Sequence, residues 1–201
     1  MATDTSAVNN GDAQLEFTSP NSNNSTSALL QVGSQPSPGG ILTRDVIKFT
    51  MPSTPVGGGT ITAITLNLRM WLGAVTKDYS IHELNRSNWV ENQVTWNDYS
   101  TGNAWTTAGG DYGSALATIS LGASTGWKVW SIGTSFTWGD EVSLILKEDS
   151  ENNGTDSYKL FRSKEFGTPA DRPYLEVTYT PGSGFTPTPL MHMRMMAGGV
   201  V

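Results

Sequence analysis

Few side chains in this sequence could carry out a reaction. The 201 residues contain no cysteine and two histidines, His82 and His192. A serine or threonine hydrolase needs a nucleophile, a base and an orienting carboxylate held together. No H-E-x-x-H pair or G-x-x-x-x-G-K phosphate loop is present, and the one G-x-S-x-G string, Gly122-Ala-Ser-Thr-Gly126, joins two expected strands rather than a strand and a helix as a nucleophile elbow does. His82 follows Ile81 in an alternating stretch and is expected to point out of its strand, while His192 lies near the C-terminus. Glycoside hydrolysis needs two carboxyl groups about 5–9 Å apart. Glu83, Glu91, Asp98 and Asp111 could supply them, but nothing in their spacing brings any two together. Asp149-Ser-Glu-Asn-Asn-Gly154 opens like a calcium loop, yet the twelfth position, where such a loop has a bidentate Glu, is Leu160. A hairpin closed by an Asn-Gly turn fits that stretch better. The sequence therefore predicts no catalytic residue, no metal site and no cofactor.

Binding chemistry is better represented. Trp105, Trp127, Trp130 and Trp138 are candidate sugar platforms, because an aromatic face stacks on the C–H surface of a pyranose; Trp105, Trp127 and Trp130 are the three carried forward. Core packing is the commoner fate of such residues. Trp127 and Trp130 are three apart, so on a regular strand they face opposite ways and at most one is exposed. Trp89 and Trp96 bracket Glu91 within the long polar stretch Ser87–Gly113, and are expected to pin that loop to the body. The C-terminal stretch differs from the rest. Four of the seven methionines lie in its last eleven positions. Phe185, Leu190, Met191, Met193, Met195 and Met196 are candidate partner-binding residues, since thioether side chains adapt to irregular apolar surfaces. Met191, Met193 and Met195 alternate, as a strand added to a neighbour's sheet edge would.

Strands must position these residues. In Glu141–Glu148, residues Val142, Leu144 and Leu146 share one face; Leu175, Val177 and Tyr179 do so in Pro173–Tyr179, and Ile47, Phe49 and Met51 in Asp45–Met51. In Thr60–Trp71 the apolar phase slips at Ala63–Ile64, which points to a β-bulge or to a strand passing between environments. Asp12–Phe17, Ala28–Val32, Tyr79–Leu84, Leu116–Leu121, Trp127–Ile132 and Ser157–Lys164 complete about nine or ten strands. No long helical stripe competes with them. The expected fold is an all-β antiparallel sandwich, jelly-roll-like, over residues 12–180, with the long loop at 87–113 and extended arms at 1–11 and 181–201.

Composition limits the partners. Lys+Arg 12 against Asp+Glu 18 gives a formal net charge of −6, and the cations are scattered, which argues against nucleic acid. No stretch approaches the ~18 apolar residues of a membrane helix. The first ten residues lack the cationic start and apolar run of a secretory signal, so the sequons at Asn23, Asn24, Asn85 and Asn153 carry little weight.

Ordered phrases resemble a known family. Arg44-Asp-Val-Ile-Lys-Phe49 and Ile61–Leu68 are similar to two strands of the DNRLRE-type domain. Ser87-Asn-Trp-Val-Glu-Asn-Gln-Val-Thr-Trp-Asn97 resembles its W-x-E-x-x-V-T-W-N segment. Phe161-Arg-Ser-Lys-Glu165 with Arg172-Pro-Tyr-Leu-Glu-Val-Thr-Tyr179 resembles its closing strands. The resemblance runs from about Asp12 to Tyr179. It implies a non-catalytic jelly-roll-like sandwich of secreted or surface proteins, some of which bind carbohydrate, including alginate-like polysaccharides.

Two functional expectations follow. The first is a non-catalytic structural module of a virus particle, a capsid decoration (cement), fibre or tail-associated protein. It would attach through its terminal arms to capsid or other virion protein, or to its own copies. The alternative is a carbohydrate-binding or adhesion module, virion-borne or extracellular, that engages polysaccharide through Trp105, Trp127 or Trp130 and the Ser87–Gly113 loop.

Overall fold

The computed structural model describes residues 3–36, 40–73, 75–152 and 154–183. Its strands are β1 (Thr3–Glu16), β2 (Leu29–Gln35), β3 (Ile41–Thr50), β4 (Gly59–Gly73), β5 (Lys77–Leu84), β6 (Asp98–Ser100), β7 (Asn103–Ala104), β8 (Tyr112–Leu121), β9 (Gly126–Gly133), β10 (Glu141–Glu148), β11 (Lys159–Arg162) and β12 (Tyr174–Pro181). A single 3-10 turn, Pro169–Asp171, is the only helical element among the described residues. Every strand pairing is antiparallel.

Two layers result. In the first, β4 pairs with β9 along one edge and with β12 and then β11 along the other. In the second, β3, β10, β5 and β8 follow in order. The first two strands join the layers. Thr3–Val8 of β1 pairs with β12, and after a register shift between Asn9 and Gly11 the rest of β1 pairs with β3. Likewise Leu29–Val32 of β2 pairs with β11, and Gly33–Gln35 with β3. Gly33 makes this crossing possible: its φ is 112°, and a Cβ there would lie 3.0 Å from the Tyr158 backbone and 3.2 Å from the Tyr79 hydroxyl.

The expected arm at 1–11 needs correction. From Thr3 onward it is the first half of β1, hydrogen-bonded to β12 and burying Ala7 in the core. Its polar residues hide a strand because they face outward while the backbone completes the sheet edge. Pro181 likewise belongs to β12. The bulge predicted near Ala63 is present: Thr62 is the extra residue between the pairs Ala63–Thr178 and Ile61–Tyr179.

The sandwich has two cores. Between the layers lie Leu30, Ile47, Phe49, Ile64, Leu66, Leu68, Trp130, Leu144, Phe161 and Val177, all fully buried. A second cluster covers the outside of the second sheet, where Ala13, Leu15, Val46 and Ile145 meet Trp89, Val94, Trp96 and Trp105. In β3, Val46 turns outward and Ile47 inward, so the near-continuous apolar run reflects burial on both faces. The long loop is thus a third layer rather than a free excursion.

Candidate functional site

Two surfaces differ from their surroundings. One is the outer face of the first sheet, where alternation directs Ile64, Leu66, Leu68 and Met70 of β4 into the core and leaves Asn67 and Arg69 on the outside. Val8, Tyr174, Asn67 and Val129 form a cross-strand row there, and the next pair is Arg69 opposite Trp127. Trp127 is half-buried, with its ring edge-on to Tyr174 at 5.2 Å and 5.8 Å from the Arg69 guanidinium. Trp71 is 56% exposed and sits at a second bulge, between the pairs Met70–Phe161 and Leu72–Leu160. The Arg162 guanidinium lies 5.4 Å from the Trp71 ring centre and 4.1 Å from that of Phe166. Asp171, on the 3-10 turn, pairs with both Arg162 and Arg69, the latter at 3.1 Å. Two guanidinium groups share one carboxylate between two tryptophans, so the band retains positive charge in a protein of net charge −6.

The other surface is a cleft of about 610 Å³ at the end of the long loop, lined by Asn85, Arg86, Thr106, Thr107, Gly110, Asp111 and Tyr112. Asp111 accepts from the backbone N–H groups of Thr106 (2.9 Å) and Thr107 (2.7 Å) and from Arg86 Nε (3.1 Å). Burial alone would raise its carboxyl, but these donors outweigh it and hold the carboxyl below its ordinary range. Arg86 also lies 4.8 Å from the Tyr99 ring centre.

This arrangement has a pH consequence. Because Asp111 titrates lower in the folded protein than in the unfolded chain, its contribution is complete above about pH 4. It is lost as pH falls through the folded value. Wild type should therefore be more stable than Asp111→Asn at pH 6, and the two denaturation midpoints should converge on acidification. A gap that stays constant to pH 2.5 would contradict this account.

The fold places the carboxylates considered for glycoside hydrolysis in separate duties. Asp111 ties the cleft, Glu91 accepts from the backbone N–H of Asp12 (2.9 Å), Asp98 begins the small β6–β7 hairpin, and Glu83 is exposed on β5. His82 bonds through Nδ1 to the Gly113 carbonyl at 2.9 Å, with its ring against Tyr112.

A family model described as carbohydrate-binding module family 96 matches residues 3–179. The chain belongs to this family. A search of the curated proteins finds no match. The family-96 match begins at the first residue of β1, so the segment expected as an arm lies within the module.

In this family-96 module only one of the three singled-out tryptophans reaches the surface. Trp130 is fully buried, with its N–H donated to the Tyr79 carbonyl at 3.0 Å. Trp105 is buried in the outer core, with its N–H donated to the Thr95 carbonyl at 3.0 Å. Neither offers a face to a sugar, because each lies on the inward phase of its segment. Trp127 remains, on the face opposite Trp130 as the spacing requires. Trp138 donates to the Gly59 carbonyl and packs edge-on to Tyr179. Trp89 and Trp96 are loop anchors as expected, with the Trp89 N–H on Ser143 Oγ. Trp71 and its arginine neighbours escaped the sequence reading. The signal available was a tryptophan on the polar phase of β4, at the end of a strand that otherwise alternates. Phe185, Leu190, Met191, Met193, Met195 and Met196 lie outside the described residues.

Proposed function

We propose that this chain is a non-catalytic module that binds a uronate-bearing polysaccharide on the outer face of the first sheet. The observation that carries the reading is the band Trp71–Arg162–Asp171–Arg69–Trp127, on a sheet face that no further layer of the described residues covers. Aromatic faces take the C–H side of sugar rings, while guanidinium groups pair with ring carboxylates in a planar fork. Asp171 holds both arginines in place before a ligand arrives, which lowers the ordering cost of binding. Family membership supports carbohydrate as the ligand class, and the pair of arginines supports an acidic one. The virion role expected from the sequence draws no support from the family match, and the C-terminal stretch it relied on lies outside the described residues.

Calorimetric titration with a polyuronate and with a neutral glucan tests the reading. Trp71→Ala and Trp127→Ala should each weaken polyuronate binding at least about tenfold, roughly 1.4 kcal/mol, with little change in melting temperature. Binding should weaken with salt, and the neutral glucan should bind less well. If both variants bind as wild type and Arg86→Ala abolishes binding, the ligand sits in the loop cleft and the sheet-face reading fails. If no polysaccharide binds at all, the proposed function fails with it.

A further inference from the structure

A group of acidic side chains lies where β1 meets the long loop and the turn that follows β11. One carboxylate oxygen each from Asp12, Glu91 and Glu165 lie within 4.8 Å of one another. Asp12 is on β1 opposite Ile47 of β3, so it faces the interior, and Asp45 lies two residues away on the same face of β3. Both aspartates are buried, Asp12 at 1% exposure and Asp45 at 0%. Residues of this kind are rarely buried unless paired or bound to a metal.

The hydrogen-bond inventory is incomplete on one side. Asp12 Oδ2 is satisfied by Asn9 Nδ2 at 2.5 Å and by the backbone N–H of Lys164 at 2.8 Å. The Lys164 ammonium pairs with Glu91 Oε1 (3.1 Å) and Glu165 Oε1 (2.6 Å). Left over are Asp12 Oδ1, both oxygens of Asp45 and Glu165 Oε2, all buried and without a hydrogen-bond partner. Of the four carboxylates, only Glu91 and Glu165 meet the Lys164 ammonium.

We propose that Asp12, Glu91 and Glu165, backed by the buried and unpartnered carboxylate of Asp45 on the neighbouring strand, hold a divalent cation of the calcium class. The donors are all hard oxygens, with neither sulfur nor imidazole in the group, which selects calcium or magnesium over zinc or copper. Four oxygens stand free, and water or Glu91 would complete the six to eight that calcium takes. Lys164 takes the Oε1 atoms of Glu91 and Glu165 and leaves Asp12 Oδ1 and Glu165 Oε2 unpartnered. The ion would fasten β1, β3, the long loop through Glu91 and the segment after β11 to one another. This site is independent of the sugar-binding reading.

The test is calcium titration of the full chain after chelator treatment and buffer exchange, with magnesium in parallel and melting temperature as a second readout. One calcium per chain should bind, more tightly than magnesium, and raise the melting temperature. Asp45→Asn keeps the volume and removes a buried charge; it should lower calcium affinity at least about tenfold and abolish the thermal shift. Asp149→Asn, in the exposed turn after β10, should leave both unchanged. If Asp45→Asn does not fold, Glu165→Gln at the less buried side carries the same expectation. No calcium heat and no thermal shift in wild type would overturn the proposal. So would wild-type calcium affinity in both Asp45→Asn and Glu165→Gln.

Discussion

Replacing Trp130 with alanine should destabilise the protein by about 3–5 kcal/mol, the range for removing a large aromatic from a closed core. Trp130 is on β9 in the first layer, and its N–H reaches the Tyr79 carbonyl of β5 in the second. It packs against Phe161, with ring centres 6.0 Å apart. The substitution removes the bulk that fills the interlayer space and leaves a carbonyl without its donor. β8 and β9 are edge strands with no hydrogen bonds between them, so this tie helps to close the sandwich on its open side. Trp130→Phe keeps most of the volume and should lose only about 1 kcal/mol for the hydrogen bond, plus a smaller packing term. Urea denaturation of the three proteins measures the difference. A Trp130→Ala loss below 1 kcal/mol would show that the interlayer contact is replaced by collapse around it.

Arg44→Met should cost about 3–5 kcal/mol, because it breaks a largely buried ion pair from one side. Arg44 forms a two-pronged contact with Glu151, Nε to Oε1 and Nη2 to Oε2, both 2.7 Å, and donates Nη1 to the Gly109 carbonyl at 2.8 Å. Its guanidinium also lies 5.0 Å from the Trp96 ring centre and 5.5 Å from that of Tyr112. The two charged side chains are 11% and 15% exposed. One residue of β3 therefore anchors both the turn after β10 and the far end of the long loop. Glu151→Gln alone should be milder, since it removes a charge but keeps an acceptor. Adding Glu151→Gln to Arg44→Met should recover part of the loss, because the orphaned carboxylate is gone. Strict additivity of the two substitutions would argue against coupling. Arg44→Lys should not rescue fully, since an ammonium cannot make the planar fork.

Much of the fold was legible because most strands obey a two-residue period against the core between the layers. Val142, Leu144 and Leu146, and Leu175, Val177 and Tyr179, fall on the interior as their alternation requires. The bulge near Ala63 was legible from a phase slip, and the opposite facing of Trp127 and Trp130 from their three-residue offset, though not which of the two is exposed. The first half of β1 was not legible: Thr3–Val8 gains its place from backbone pairing with β12, which side-chain pattern does not encode. Lys159 alternates onto the interior with Phe161. A lysine there reads as surface until the carbonyls of Val75 and Ser157, each at 2.8 Å, receive its ammonium.

What the sequence determined by itself was the fold class, most strand positions, and the anchoring role of Trp89 and Trp96, because each depends on local periodicity or on burial that neighbouring residues already imply. Only the tertiary structure decided which aromatic residues are exposed and which carboxylates meet. Trp71 and Trp127 are far apart in the chain and strand register brings them onto one face, while Asp12 and Glu165 meet because the turn after β11 folds against β1. Register is set by the summed packing of all strands, so no single segment contains it.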